Sequence, residues 1–128
     1  MPSYSAKKQL GLYIHVPFCK SKCFYCDFHS FKGMESFIEP YFTALKRELA
    51  SYSKALEGKT VKSVFFGGGT PSYVDPYHIH EVMEHCRSCF SLEGGAEISL
   101  EANPGTITGR KLEIYRESGI NRLSLGLQ

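Results

Sequence analysis

Short continuous hydrophobic runs alternate along the chain with segments in which apolar residues lie three and four positions apart. Four runs rich in β-branched and aromatic residues predict strands. They are residues 11–16, 61–66, 96–101 and 122–127. Three segments of helical spacing lie between them and predict amphipathic helices. They are residues 38–52, 76–89 and 109–118. Strands that alternate with helices in this way indicate β-α-β units and a parallel sheet.

Residues at the ends of two helices support these boundaries. Asp75 precedes Pro76, which is the preferred order of an N-cap residue and a proline in the first helical turn. Thr108 is a suitable N-cap for the third helix, and Gly119 is a suitable end for it.

The predicted fold class is α/β, with about four parallel strands and three helices in the N-terminal half of a barrel. A complete (β/α)₈ barrel takes about 250 residues, whereas the chain of 128 residues stops at the end of its fourth predicted strand. We therefore expect residues 1–10 to form an N-terminal tail. We expect residues 11–128 to form the N-terminal part of a barrel domain, truncated after the fourth strand.

Composition excludes several functional classes. Hydrophobic residues make up 42% of the chain and aromatic residues 13%, which suffices for one globular core. Fifteen Lys and Arg residues against thirteen Asp and Glu residues are scattered, which does not indicate a nucleic-acid partner. No run approaches the roughly 18 apolar residues of a membrane span, and the first ten residues contain no apolar signal region. We expect a cytoplasmic protein.

Three of the five cysteines, Cys19, Cys23 and Cys26, lie within eight residues in the loop after the first predicted strand. Clustered thiolates of this kind suit metal binding in a reducing compartment better than a disulfide framework. Cubane iron–sulfur clusters normally take four cysteine ligands. Three local ligands would leave one iron open, and an open coordination position is what allows a metal centre to bind a substrate.

The cysteines also allow two other interpretations. They could be ordinary core residues, because free cysteine is often buried. Alternatively, Cys23 and Cys26 could form a structural zinc module with the pair Cys86 and Cys89. Cys86 falls in the apolar stripe of the second predicted helix, which favours a packing role for it.

Five segments, in this order, resemble the radical S-adenosylmethionine (SAM) superfamily. They are LYIHVPFC at residues 12–19, CFYCDF at 23–28, FGGGTPS at 66–72, EANPG at 101–105 and GINRLSLGLQ at 119–128. The resemblance spans residues 12–128. It is to the branch that holds oxygen-independent coproporphyrinogen III oxidase and the radical SAM heme chaperone, and it implies a partial radical SAM (β/α) barrel.

The resemblance also implies the cofactors and their ligands. Cys19, Cys23 and Cys26 would hold a [4Fe–4S] cluster, and SAM would chelate the remaining iron and be cleaved reductively. Seven further residues match SAM-contacting positions of the family: Tyr13, Tyr25, Gly68, Gly69, Thr70, Glu101 and Gln128.

Some of these residues also have simpler explanations. The glycines could form a plain turn, although the absence of a following lysine argues against a nucleoside triphosphate loop. Tyr13 could be a core residue, since aromatic residues are common in strands. Glu101 is more informative, because a carboxylate is rarely buried without a partner. His15 is interpreted as a structural histidine rather than a ligand.

Two departures from the oxidase pattern favour the heme-chaperone-like subgroup. Phe28 stands where the oxidase usually carries a further cysteine, and only about ten residues precede the first strand. The resemblance then implies heme as a ligand of the full-length parent, with apo-haemoproteins and an electron donor protein as partners. The true oxidase of porphyrin biosynthesis stays open as the alternative. Whether the parent is an enzyme is not decided by these residues, and we expect the 128-residue chain alone to be inactive.

Overall fold

The computed structural model describes residues 9–19, 31–32 and 35–126, which form a parallel sheet and three helices. The strands are β1 (Gln9–Val16), β2 (Phe18–Cys19), β3 (Phe31–Lys32), β4 (Thr60–Gly68), β5 (Ser91–Ala102) and β6 (Arg122–Leu125). The helices are α1 (Ile38–Tyr52), α2 (Pro76–Cys89) and α3 (Gly109–Ser118). Short 3₁₀ turns cover Glu35–Phe37, Pro71–Tyr73 and Pro104–Thr106.

The larger sheet has the order β1-β4-β5-β6, and all of its neighbouring strands are parallel. Each step from one strand to the next passes through one helix, as β-α-β units require. The prediction of four parallel strands and three helices is confirmed.

The predicted limits of the three helices are confirmed, and local capping explains the start of α2 and both ends of α3. The Asp75 carboxylate accepts a hydrogen bond from the backbone N–H of Tyr77 at 3.0 Å, which starts α2. Thr108 Oγ1 accepts from the N–H of Lys111 at 3.2 Å and starts α3. Gly119 ends α3 with a φ of 99°, a left-handed conformation that favours glycine.

The strands differ from the prediction in their limits and in one additional pair. Strand β1 begins at Gln9, inside the predicted tail of residues 1–10, and β4 covers Thr60–Gly68 instead of residues 61–66. Strand β5 begins at Ser91 instead of residue 96, because its first two residues pair with the start of β4 before an irregularity interrupts the register. The parallel pair β2 and β3 was not predicted, since two-residue strands have no detectable periodicity. Residue 127 of the fourth predicted strand lies outside the described residues.

The core lies between the helices and one face of the sheet. Alternate residues of the central strands, such as Val64 and Phe66 of β4 and Leu100 of β5, are fully buried there. The predicted stripe of α2 is buried as well, and it consists of Ile79, Met83, Cys86 and Phe90. The intervening strand residues point to the opposite face, where Tyr13 is 58% exposed.

Candidate functional site

The predicted ligand Cys19 is the last residue of β2, beside the carboxyl end of β4. Its side chain is buried, and the Thr70 hydroxyl donates a hydrogen bond to its sulfur at 3.7 Å. Cys23 and Cys26 lie outside the described residues, as do the predicted SAM contacts Tyr25 and Gln128. Within the described part of the chain, no three His, Cys, Asp or Glu side chains converge as a metal site.

The glycine-rich loop after β4 is attached directly to the segment that carries Cys19. The N–H of Gly69 donates to the carbonyl of Val16 at 2.8 Å, and the N–H of Thr70 donates to the carbonyl of Phe18 at 2.8 Å. The loop therefore continues the parallel pairing of β1 and β4 beyond the end of both strands.

Gly69 touches Cys19 so closely that no side chain fits between them. A Cβ atom on Gly69 would lie 2.8 Å from the Phe18 carbonyl oxygen and 2.9 Å from the sulfur of Cys19. Real Cβ contacts are essentially never shorter than 3.0 Å. The glycine thus allows the loop backbone to pack directly against the sulfur.

Glu101 and Gly68 connect the ends of the two central strands. The Gly68 N–H donates to Glu101 Oε1 at 3.1 Å, so the carboxylate has the partner that its position near the end of a buried strand requires. Gly68 has a φ of 114°, and a Cβ there would lie 2.8 Å from the ring of His15.

Tyr13 lies near Glu101 and His15 and is not a core residue. It lies three residues before the end of β1, on the face opposite the helices, and its ring stacks on Phe65 at 5.8 Å between centroids. Its hydroxyl is hydrogen-bonded to His15 Nδ1 at 3.1 Å. Partial burial, followed by repulsion from the Glu101 carboxylate, raises the pKa of Tyr13 above its usual value. At neutral pH the phenol therefore keeps its proton.

One functional neighbour was missed by the sequence reasoning. The sequence places Tyr41 only within the predicted helix 38–52, but its hydroxyl donates to the His15 carbonyl and its ring meets Phe18 edge-to-face at 5.5 Å. Burial raises its pKa above the usual value. A tyrosine on the apolar face of a helix needs a hydrogen-bond partner for its hydroxyl. That requirement is the only sign in the sequence that Tyr41 contacts more than the core.

The zinc interpretation is not favoured by the helix cysteines. Cys86 is fully buried in the hydrophobic core, and burial raises the pKa of its thiol to about 12. A metal ligand must be a thiolate, which this environment disfavours. Cys89 shares a cavity with Lys59 and Ser91, which adjoin the amino ends of β4 and β5, whereas Cys19 lies at the opposite edge of the sheet.

The described residues fit a cluster and SAM at this edge. Cys19 offers a sulfur ligand with a hydroxyl donor beside it, and Gly69 lets the loop backbone lie against that sulfur where a Cβ would clash. Glu101 adds a carboxylate that is bonded to Gly68 of the same glycine-rich loop. Carboxyl ends of parallel strands are also where barrel active sites are built.

No helix among the described residues is both long and apolar enough to cross a membrane.

Comparison with known proteins extends these observations. The family model described as the Radical SAM superfamily matches residues 13–128. The heme chaperone HemW of Escherichia coli (strain K12) is 40% identical over 121 residues, which cover 93% of this chain and 32% of that protein. An oxygen-independent coproporphyrinogen III oxidase of Bradyrhizobium diazoefficiens is 38% identical over 121 residues, which cover 92% of this chain and 27% of that protein.

A solved structure gives the same result. The radical SAM enzyme coproporphyrinogen III oxidase (HemN) from Escherichia coli superimposes with a TM-score of 0.88 and 33% sequence identity. The match covers 96% of this chain and 29% of that one. The chain therefore spans about a third or less of the length of these relatives.

Proposed function

The chain belongs to the radical SAM superfamily, and we propose that it binds a [4Fe–4S] cluster through Cys19, Cys23 and Cys26 and binds SAM beside that cluster. The observation that carries this proposal is the contact between Cys19 and the glycine-rich loop. A ligand sulfur, a hydroxyl donor and a glycine without room for a side chain meet at the carboxyl edge of the sheet.

Each described residue has a role that follows from its contacts. The Thr70 hydroxyl donates to the Cys19 sulfur, and such outer-shell bonds orient a metal ligand and adjust its electron density. Glu101 uses one carboxylate oxygen to hold Gly68 and keeps the other as an acceptor for a hydroxyl or ammonium group of SAM. Tyr13 stays protonated and covers the site from β1.

The cluster, when bound, would supply the electron for reductive cleavage of the SAM sulfonium. The chain itself orients the two groups and excludes water, because in cofactor-dependent reactions the protein contributes binding, orientation and electrostatics.

For the biological role, we favour a heme-chaperone-like protein that binds heme and transfers it to apo-haemoproteins, with an electron donor protein for the cluster. The relative named heme chaperone HemW supports this, and so does Phe28, which replaces the extra cysteine usual in the oxidase. The second candidate is coproporphyrinogen III oxidation, which is supported by the oxidase relative and by the structural neighbour.

Anaerobic reconstitution with iron and sulfide, followed by metal analysis, tests the cluster. We expect up to four irons per chain in the unsubstituted 128-residue chain, which is called the parent below. No cluster should form when Cys19, Cys23 or Cys26 is replaced by alanine. Cys86→Ala and Cys89→Ala are the matched controls and should load normally. A fully loaded Cys26→Ala chain, or a chain that takes up one zinc and no iron, would refute the assignment.

Two chimeras separate the two biological roles. In one, this chain replaces the matching segment of the Escherichia coli heme chaperone HemW, and in the other it replaces the matching segment of the Escherichia coli coproporphyrinogen III oxidase HemN. The role assigned to the chain is that of the chimera that stays active. A heme chaperone binds heme and delivers it to an apo-haemoprotein without decarboxylation. An oxidase instead consumes coproporphyrinogen III and releases carbon dioxide when SAM and a reductant are present.

A further inference from the structure

Ser72 lies behind the candidate site, in the 3₁₀ turn that follows the glycine-rich loop. It is completely buried although it is polar, so its hydroxyl has to be satisfied by protein groups. Its partners come from the loop after β5, and they are Asn103 and Thr106.

The hydrogen atoms of this contact can be assigned by counting donors. The Asn103 N–H donates to Ser72 Oγ at 3.0 Å, and the Thr106 hydroxyl donates to the Asn103 carbonyl at 2.8 Å. A hydroxyl has only one proton, and a carbonyl can only accept. The Thr106 proton is therefore used, so in the remaining bond Ser72 must donate to Thr106. The three bonds form a closed ring.

The backbone of Ser72 is held by the same β-α unit. Lys111, in the first turn of α3, donates from Nζ to the Ser72 carbonyl at 2.6 Å. Burial lowers the pKa of Lys111, and the Asp75 carboxylate opposes that shift. Ser72 is thus fixed both through its side chain and through its main chain.

Two cross-links consequently join the same two segments. Gly68 precedes Ser72 by four residues and bonds to Glu101, which precedes Asn103 by two. The Gly68–Glu101 bond faces solvent, where water competes for both groups. The Ser72 ring is part-buried around a hydroxyl that is itself completely buried, and hydrogen bonds shielded from water are stronger and better defined in geometry. The more shielded Ser72 cross-link can therefore set the geometry of the exposed Gly68–Glu101 bond.

We propose that Ser72 is a positioning residue for the SAM site, because the hydrogen-bonded ring that its buried hydroxyl forms with Asn103 and Thr106 holds the Glu101 carboxylate against the Gly68 amide. The inference rests on the proposed function, since it assigns Glu101 and Gly68 to SAM.

Ser72→Ala tests the proposal in the iron-loaded chain, by SAM binding, and in the unloaded chain, by hydrogen exchange at the Gly68 amide. We expect SAM affinity to fall about tenfold, since the hydroxyl that accepts from Asn103 and donates to Thr106 is lost and the ring is opened. Iron content should stay within error of the parent, because the bonds from Gly69 and Thr70 to the Cys19 segment are intact. The Gly68 amide should exchange several times faster than in the parent.

Ser118→Ala is the matched control. Ser118 is also completely buried, and its hydroxyl donates within α3 to the Ile114 carbonyl at 2.6 Å, away from both loops. This variant loses the same atom and should keep both SAM affinity and the Gly68 exchange rate. If Ser72 had a purely structural role, Ser72→Ala and Ser118→Ala would have the same SAM affinity and the same Gly68 exchange rate.

Thr106 provides a second test in case Ser72→Ala does not fold. Thr106→Ser keeps the hydroxyl and should bind SAM within about twofold of the parent, whereas Thr106→Val removes it and should resemble Ser72→Ala. Equal SAM affinity and equal Gly68 exchange in both Thr106 variants would overturn the inference. An iron-loaded parent chain that fails to bind SAM would overturn the proposed function instead.

Discussion

Gly69→Ala tests whether the glycine-rich loop positions the cluster ligand. Gly69 has no positive φ, so alanine introduces no backbone strain and the whole effect is steric. The new Cβ would lie 2.8 Å from the Phe18 carbonyl oxygen and 3.0 Å from the Phe18 nitrogen. These are backbone atoms, which cannot rotate away as a side chain would.

The size of the effect follows from these distances. Ordinary van der Waals contact begins at 3.4 Å, so the backbone at Phe18 must move by about 0.6 Å. The movement stretches the two 2.8 Å hydrogen bonds that join the loop to Val16 and Phe18. We expect a loss of about 1–3 kcal/mol in the free energy of unfolding. The displacement also exceeds the tolerance of about 0.2 Å for metal–ligand distances, so iron retention should fall several-fold.

Two measurements check this, namely urea unfolding of the unloaded chain and iron content after anaerobic reconstitution. Gly109→Ala is the control, because a Cβ there has no heavy atom within 4 Å, and it should be neutral or stabilising by up to about 1 kcal/mol. Gly67→Ala is the intermediate case, since its closest neighbours are side-chain atoms of Phe65 and Tyr13. If Gly69→Ala unfolds and retains iron as the parent does, the steric argument is wrong.

Two further predictions concern tyrosines. The Tyr115 hydroxyl is buried without a hydrogen-bond partner among the residues that the structure describes, so Tyr115→Phe should raise the free energy of unfolding by about 1 kcal/mol at pH 7. Burial raises the pKa of Tyr115 to about 12. Above about pH 10 the phenol is therefore deprotonated in the unfolded chain while it stays protonated in the folded chain. The free energy of unfolding consequently falls by roughly 2–3 kcal/mol between pH 10 and 12. Urea titrations should show less of this alkaline loss in Tyr115→Phe, and an unchanged profile would contradict the assignment. Tyr41→Phe removes the hydroxyl that holds the His15 carbonyl but keeps the ring against its neighbours. It should cost about 1 kcal/mol and lower iron retention, whereas the exposed Tyr52→Phe on the same helix should do neither.

The local sequence determined where α2 begins and where α3 begins and ends. Asp75, Thr108 and Gly119 act through hydrogen bonds or backbone angles within a few residues, so their effect is readable from the chain alone. The spacing of apolar residues along α2 likewise identified its buried stripe, because that spacing is also a local property of the sequence. The spacing of the three clustered cysteines likewise singled out Cys19 before its surroundings were known.

Only the tertiary structure decided which residues meet at the carboxyl edge of the sheet. Thr70 and Cys19 are 51 positions apart, and Ser72 and Thr106 are 34 apart. These contacts depend on the register between parallel strands, such as the pairing of Val16 with Gly68, and no local pattern encodes a register between distant segments. For that reason the sequence identified Gly69 only as one glycine of a motif. The fold showed that Gly69 lies against Cys19, where no larger residue fits.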